Sequence, residues 1–197
     1  LILVESNKAG FTKGNNLEKV GLKAQDTSEL FFQDLRVPRT NLLGTEGEGF
    51  IYLMQELPQE RLSVSVMAAA SAEAVLQHTI DYVKERKAFG KAIATFQNTQ
   101  FKLAELDTQV TALRVFVDRC IELHIAGKLD VATAAKVKLL STDIQCKVAD
   151  ECLQLYGGYG YMWEYPVARA WADSRVQKIY AGTNEIMKLI IGRALLS

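Results

Sequence analysis

The sequence predicts a mainly α-helical chain: an up-down four-helix bundle preceded by a few strands. Three observations carry this. Apolar residues recur at spacings of three, four or seven through three long stretches between Leu62 and Leu155. A short connection, Ala126-Gly127-Lys128-Leu129-Asp130, joins two of those stretches. Residues 1 to 45 have another texture, with short apolar runs broken by turn residues.

In chain order, Leu1-Ile2-Leu3-Val4 reads as a short strand. Ala9-Gly10 and Lys13-Gly14-Asn15-Asn16 are turn signals. Leu30 to Val37 is a strand candidate, ended by Pro38, which cannot donate to a ladder. Two to four strands of this kind are too few for an independent sheet domain. The run Gly44-Thr45-Glu46-Gly47-Glu48-Gly49 breaks the pattern. Residues 1–45 are therefore assigned to the tail of a β region and 46–197 to the bundle.

The first helical stripe is Leu62, Val66, Ala69, Leu76, Ile80 and Val83. The second is Leu103, Leu106, Val110, Leu113, Val117, Ile121 and Ile125. The third is Val137, Leu140, Ile144, Val148, Cys152 and Leu155. Each series falls on one face of a helix with about 3.6 residues per turn. Gly127 suits a C-cap and Asp130 an N-cap, and so short a loop makes its helices antiparallel. Gly157-Gly158 stops the third helix, and a last one runs from Asn184 to Leu196.

Lysine plus arginine (23) balances aspartate plus glutamate (23), so overall charge makes no case for nucleic acid or an anionic membrane. The most apolar stretch, Val66 to Ala72, is too short to cross a bilayer. Cys120, Cys146 and Cys152 fit neither a disulfide framework nor a zinc pattern and read as reduced thiols on helices. Leu1 is not a methionine, and the chain is expected to begin inside a longer protein.

Four segments carry candidate chemistry. Arg86-Lys87-Ala88-Phe89-Gly90, with Phe96-Gln97 downstream, offers a guanidinium fork suited to a pyrophosphate; its plain reading is a helix end with Gly90 as C-cap. Gln154-Leu155-Tyr156-Gly157-Gly158-Tyr159-Gly160-Tyr161 allows close backbone approach to a ligand, or simply stops a helix. Ile179-Tyr180-Ala181-Gly182-Thr183-Asn184-Glu185-Ile186 leads into the last helix; Thr183 or Asn184 can cap it, and free N–H groups there suit anionic or carbonyl oxygens, with a plain N-cap as the simpler reading. Glu56-Leu57-Pro58-Gln59-Glu60-Arg61-Leu62 reads as at or near a helix start, with Pro58 fitting a start or a kink and Glu60 in the first turn, where its simpler role is to oppose the helix dipole.

These four segments, in this order, resemble the acyl-CoA dehydrogenase family. Leu35-Arg36-Val37-Pro38 and Asn41-Leu42-Leu43-Gly44 look like that family's exit from its middle β-domain. Gln55 to Leu62 and Gly160 to Pro166 are similar to its long-chain branch. The resemblance implies the tail of the β-domain and the whole C-terminal four-helix bundle, with the family's N-terminal helical domain outside this chain. It implies FAD as cofactor and oxidation of an acyl-CoA thioester, as in fatty acid β-oxidation. In many family members the base lies in a Tyr-Glu-Gly-Thr segment, which here reads Tyr180-Ala181-Gly182-Thr183. In the long-chain and isovaleryl branches the base precedes an arginine on the first bundle helix, and Glu60 before Arg61 matches that position. Glu56, one turn away, is the fallback.

By the same resemblance, Ala181 and Gly182 face the thioester, and Pro58, Gln59, Glu60 and Arg61 contact substrate. Tyr52 lies along the acyl or CoA path, with Ile51 competing for the place. Arg86, Phe89, Gln97, Gln154, Leu155, Tyr156, Gly157, Gly158, Thr183, Asn184 and Glu185 map to flavin contacts, several of them to the flavin of a neighbouring subunit. That implies a homodimer or homotetramer, with an electron-transfer flavoprotein as acceptor and, as compartment, the mitochondrial matrix if the source is eukaryotic or the cytoplasm if it is bacterial. The competing readings are a helical oligomerisation fragment inactive by itself, a branched-chain (isovaleryl-type) dehydrogenase, and an acyl-CoA oxidase.

Overall fold

The computed structural model describes residues Leu1–Ser197 and divides into two compact units, Leu1–Glu56 and Leu57–Ser197. In the first unit, strand β1 (Phe11–Asn16) pairs antiparallel with β2 (Ser28–Phe32), in a register that places Phe11 opposite Phe32. Their rings meet edge-on at 5.5 Å. Lys13-Gly14-Asn15-Asn16 therefore belongs to a strand and not a turn. The register shifts between Lys13 and Asn16, and a side chain on Gly14 would crowd the Glu29 carbonyl, so the glycine marks an irregularity in the ladder. β2 stops at Phe32, short of Val37, because the chain turns at Asp34 with φ 50°. The apolar run at the start forms only an isolated bridge, Ile2 to Leu42.

Helix α1 (Gly49–Glu85) begins earlier than the sequence suggests, with Pro58 inside it. Glu60 is accordingly about three turns in, not in the first turn. A proline removes one bond of the ladder, and the packed face from Leu62 to Val83 carries the helix past it. A two-residue hairpin follows, β3 (Lys87–Ala88) on β4 (Lys91–Ala92). Phe89 and Gly90 both have positive φ, 52° and 80°, as a type I′ turn requires. Gly90 is thus a hairpin residue, not a helix C-cap.

Helix α2 (Gln97–Ile125) opens at the Phe-Gln pair, and α3 (Val131–Tyr156) follows. Gly127 takes φ 65°, and the Lys128 N–H donates back to the Leu123 carbonyl, closing α2. Asp130 Oδ1 accepts from the Thr133 N–H at 2.8 Å and caps α3. Cross-links run in opposite senses along neighbouring helices. Glu73 of α1 meets Arg114 of α2 through two bonds of 2.6 and 2.5 Å. Between α2 and α3, Lys102 pairs with Glu151, and Lys147 donates to Gln109. Two apolar clusters fill the bundle, Leu62, Ala69, Leu113, Val117, Cys120 and Val137 in one, and Leu76, Leu106, Val110, Val148, Cys152 and Tyr156 among the other. Burial pushes the Cys152 thiol up to about 11, as suits an inert core cysteine.

After Tyr156 a 3-10 turn, Gly157–Tyr161, leads into α4 (Pro166–Ser174). The periodicity above does not include this nine-residue helix, whose sequence signals are Pro166 at its first turn and an apolar face of Val167, Ala168 and Ala172. α5 (Asn184–Leu196) ends the chain, its N-cap Thr183 accepting from the Ile186 N–H. No helix is long and apolar enough to cross a membrane.

Candidate functional site

The segment between α4 and α5 is held from inside the bundle. Ala181 sits at φ 53°, a left-handed conformation that L-residues adopt at a cost of about 1–2 kcal/mol, and Gly182 follows at φ 92°. Any other residue at 182 would be strained at that φ, and its side chain would lie 2.8 Å from the Met187 methyl, which would have to shift. Two buried cations grip the carbonyl oxygens. Arg61 of α1, 4% exposed, donates from Nε to the Ala181 oxygen at 3.3 Å. Lys138 of α3, 0% exposed, donates from Nζ to the Gly182 oxygen at 2.8 Å. The Ala181 N–H makes no hydrogen bond within the chain.

Lys138 also donates to Asn184 Oδ1 at 2.9 Å. The Asn184 amide donates to Thr142 Oγ1 and to Asp143 Oδ1, and Lys178 pairs with that same aspartate at 2.8 Å. The Asn184 side chain is buried and fully engaged, so it has only backbone to offer a ligand. Burial lowers the Lys138 ammonium to about 8, the nearby Arg61 charge adds to this, and Asp143 and Glu185 oppose it. Burial likewise pulls the Arg61 guanidinium down, with Glu60 opposing. Glu60 and Gln59 are exposed on α1, and Pro58 is half-buried beside them. Glu185 is exposed in the first turn of α5, where its own backbone N–H and the Thr183 side chain hold its carboxyl low.

An open groove of about 660 Å³ lies where the end of α1 meets the end of α3. Arg86, Gln154, Leu155, Tyr156, Gly157 and Gly158, all singled out from the sequence, line it together. Its floor is a stacked pair, Tyr82 on Tyr156 with centroids 3.9 Å apart. The Tyr156 hydroxyl donates to the His78 carbonyl, so this ring is a wall and not a donor. The Arg86 guanidinium lies 5.0 Å from the Tyr159 ring centre and is otherwise exposed. Gly157, at φ 60°, and Gly158 leave open space above their backbone.

Three predicted residues stand apart. Phe89, 95% exposed, is at the hairpin tip, and Gln97 is exposed at the start of α2; neither lines the groove. Tyr52, in the first unit, accepts the Thr45 N–H on its hydroxyl at 3.0 Å, and its ring covers Gly44. Sequence reasoning missed Lys138, Tyr82 and Ile93; Tyr159, Met162, Glu164 and Tyr165 fall within motifs quoted from the sequence but were given no site role of their own. In the structure Lys138, Thr142, Gln145 and Ala149 form a second buried stripe on α3, offset from the apolar one, which hydrophobic periodicity does not reveal.

This bundle, with its buried turn and groove, has known relatives. The chain belongs to the acyl-CoA dehydrogenase C-terminal domain family, whose model matches residues 47–196. It is 54% identical over 195 residues to the mitochondrial long-chain specific acyl-CoA dehydrogenase of Sus scrofa, covering 99% of this chain and 45% of that protein. The crystal structure of an acyl-CoA dehydrogenase from Geobacillus kaustophilus superposes with a TM-score of 0.96 at 54% identity, over 98% of this chain and 51% of that one. An acyl-CoA dehydrogenase from Bacillus anthracis complexed with FAD gives a TM-score of 0.94 at 29% identity, over 99% of this chain and 37% of that one. The chain spans about half the length of the curated relatives it matches.

Proposed function

We propose that the chain is the base-bearing C-terminal part of a flavin-dependent enzyme that oxidises acyl-CoA thioesters to trans-2-enoyl-CoA. The carrying observation is the Arg61–Ala181 bond of 3.3 Å. It ties the segment holding the candidate base to the turn that would receive the thioester oxygen. Glu60 takes the α-proton, and the unpartnered Ala181 N–H donates to the thioester oxygen as enolate charge grows. Gly182 keeps that approach open, and Pro58, Gln59 and Arg61 contact substrate; within the first unit Tyr52 is the candidate for the acyl or CoA path. The donors in the groove fit FAD: the Arg86 guanidinium suits a pyrophosphate, and Gln154 and the open Gly157–Gly158 backbone suit a close flat ligand. FAD, when bound, accepts the β-hydride. Leu155, Tyr156, Phe89, Gln97 and the start of α5 at Thr183, Asn184 and Glu185 complete the flavin contacts, some to the flavin of a second copy, so the working form is a dimer or tetramer. Electrons leave to an electron-transfer flavoprotein.

Preference for long acyl chains is supported by 54% identity to proteins named long-chain specific; Ala181, standing where many family members carry Glu, fits the long-chain and isovaleryl branches alike. The same relatives support a mitochondrial matrix location for a eukaryotic source. In the full-length protein, Glu60→Gln should abolish exchange of the acyl-CoA α-proton with solvent while flavin stays bound. Activity retained in that variant would move the assignment to Glu56. Ala181→Glu in the Glu60→Gln background should restore part of the turnover.

A further inference from the structure

Lys138 is expensive to keep where it is. It has no exposed surface, it lies near a second buried cation, and it bonds to a carbonyl and an amide oxygen, not to a carboxylate. A merely structural filler at a buried helix position is ordinarily apolar. What the ammonium does there is specific. It draws the Gly182 oxygen inward from α3 while Arg61 draws the adjacent Ala181 oxygen inward from α1. Two consecutive left-handed residues have little reason to hold one conformation unless their carbonyls are held.

We propose that Lys138 is a positioning residue whose ammonium, with Arg61, clamps the Ala181 and Gly182 carbonyls, pins the two peptide planes that follow Ala181, and so holds the left-handed turn on whose shape the direction of the Ala181 N–H, and with it stabilisation of the thioester oxygen, depends. This rests on the function proposed above. The clamp acts through the backbone and touches no substrate. Asn184 supports it: its Oδ1 accepts from Lys138 and its amide is locked by Thr142 and Asp143, so the ammonium has one position. A donor fixed before the reaction needs no reorganisation as charge develops, which makes such groups effective. A turn free to rotate would still bind acyl-CoA but would meet the growing charge poorly.

The test uses the full-length, FAD-loaded protein and a saturated long-chain acyl-CoA in D2O, with α-proton exchange read by mass spectrometry and acyl-CoA affinity by equilibrium binding. Lys138→Met should lower the exchange rate per bound flavin by about 100-fold, the scale of a lost oxyanion donor, with affinity changed by only a few fold. Lys138→Gln, which keeps an N–H donor without the charge, should fall in between and serves if the methionine variant does not fold. Wild-type exchange per bound flavin in these variants would overturn the clamp and leave the proposed function standing. A wild-type protein that exchanges no α-proton would instead overturn the function, and the clamp with it.

Discussion

A lysine with no exposed surface reports on itself through pH. Lys138 falls from its ordinary 10.5 to about 8 in the folded chain, chiefly through burial. Between those values the unfolded chain holds more protons than the folded one, so this group's contribution to stability rises with pH across that window. The unfolding free energy of the wild type minus that of Lys138→Met should therefore grow from pH 8 toward pH 10 in urea titrations. A difference flat with pH would contradict the assignment. Two glycines of one segment offer a contrast. A side chain on Gly160 would meet the Leu153 carbonyl at 2.3 Å, whereas one on Gly158 meets nothing within 4 Å. Gly160→Ala should destabilise the fold by about 1–3 kcal/mol, as overpacking does, and Gly158→Ala should leave thermal stability nearly unchanged. Equal melting temperatures for the two would refute this reading.

Helix ends were the part most legible in the sequence. Asp130, Gly127, Thr183 and the Phe96-Gln97 pair act through local geometry, and each caps or opens a helix where its chemistry says it should. Asp130→Ala should cost about 1 kcal/mol of stability, measurable as a lower unfolding midpoint near neutral pH. The Thr133 side chain and N–H hold the Asp130 carboxyl below its ordinary value, so the cap's contribution is lost as pH falls through that lowered pKa. Less legible was the start of α1, because Pro58 resembles a helix beginning and only packing downstream overrides it. The hairpin Lys87–Ala92 was illegible for another reason: strands of two residues have no period, and a glycine with positive φ serves a C-cap as well as a turn. Of the candidate site, Arg86, the Gln154 to Gly158 run and the Ala181 turn were readable as motifs, whereas Tyr82 and Ile93 were not. The Lys138 grip was not, since a lone lysine in a helix reads as solvated until its tertiary partners are known.

The whole molecule supplies an inner wall more than an enclosed site. Glu60 and Arg86 are exposed, the groove is open, and the chain spans about half its relatives. Purified as it stands, the 197-residue chain should lose flavin on desalting, with little absorbance left near ~450 nm, because small-ligand sites ordinarily bury most of their ligand. Stoichiometric flavin surviving that step would show the site to be complete here. The turn at Ala181 has a broader consequence. It is grasped only by its backbone oxygens, so its shape is indifferent to what hangs from its first α-carbon. On the proposed function, a carboxylate at position 181 in place of one at position 60 would leave the scaffold beneath as it is, so relocating the base would require no new architecture.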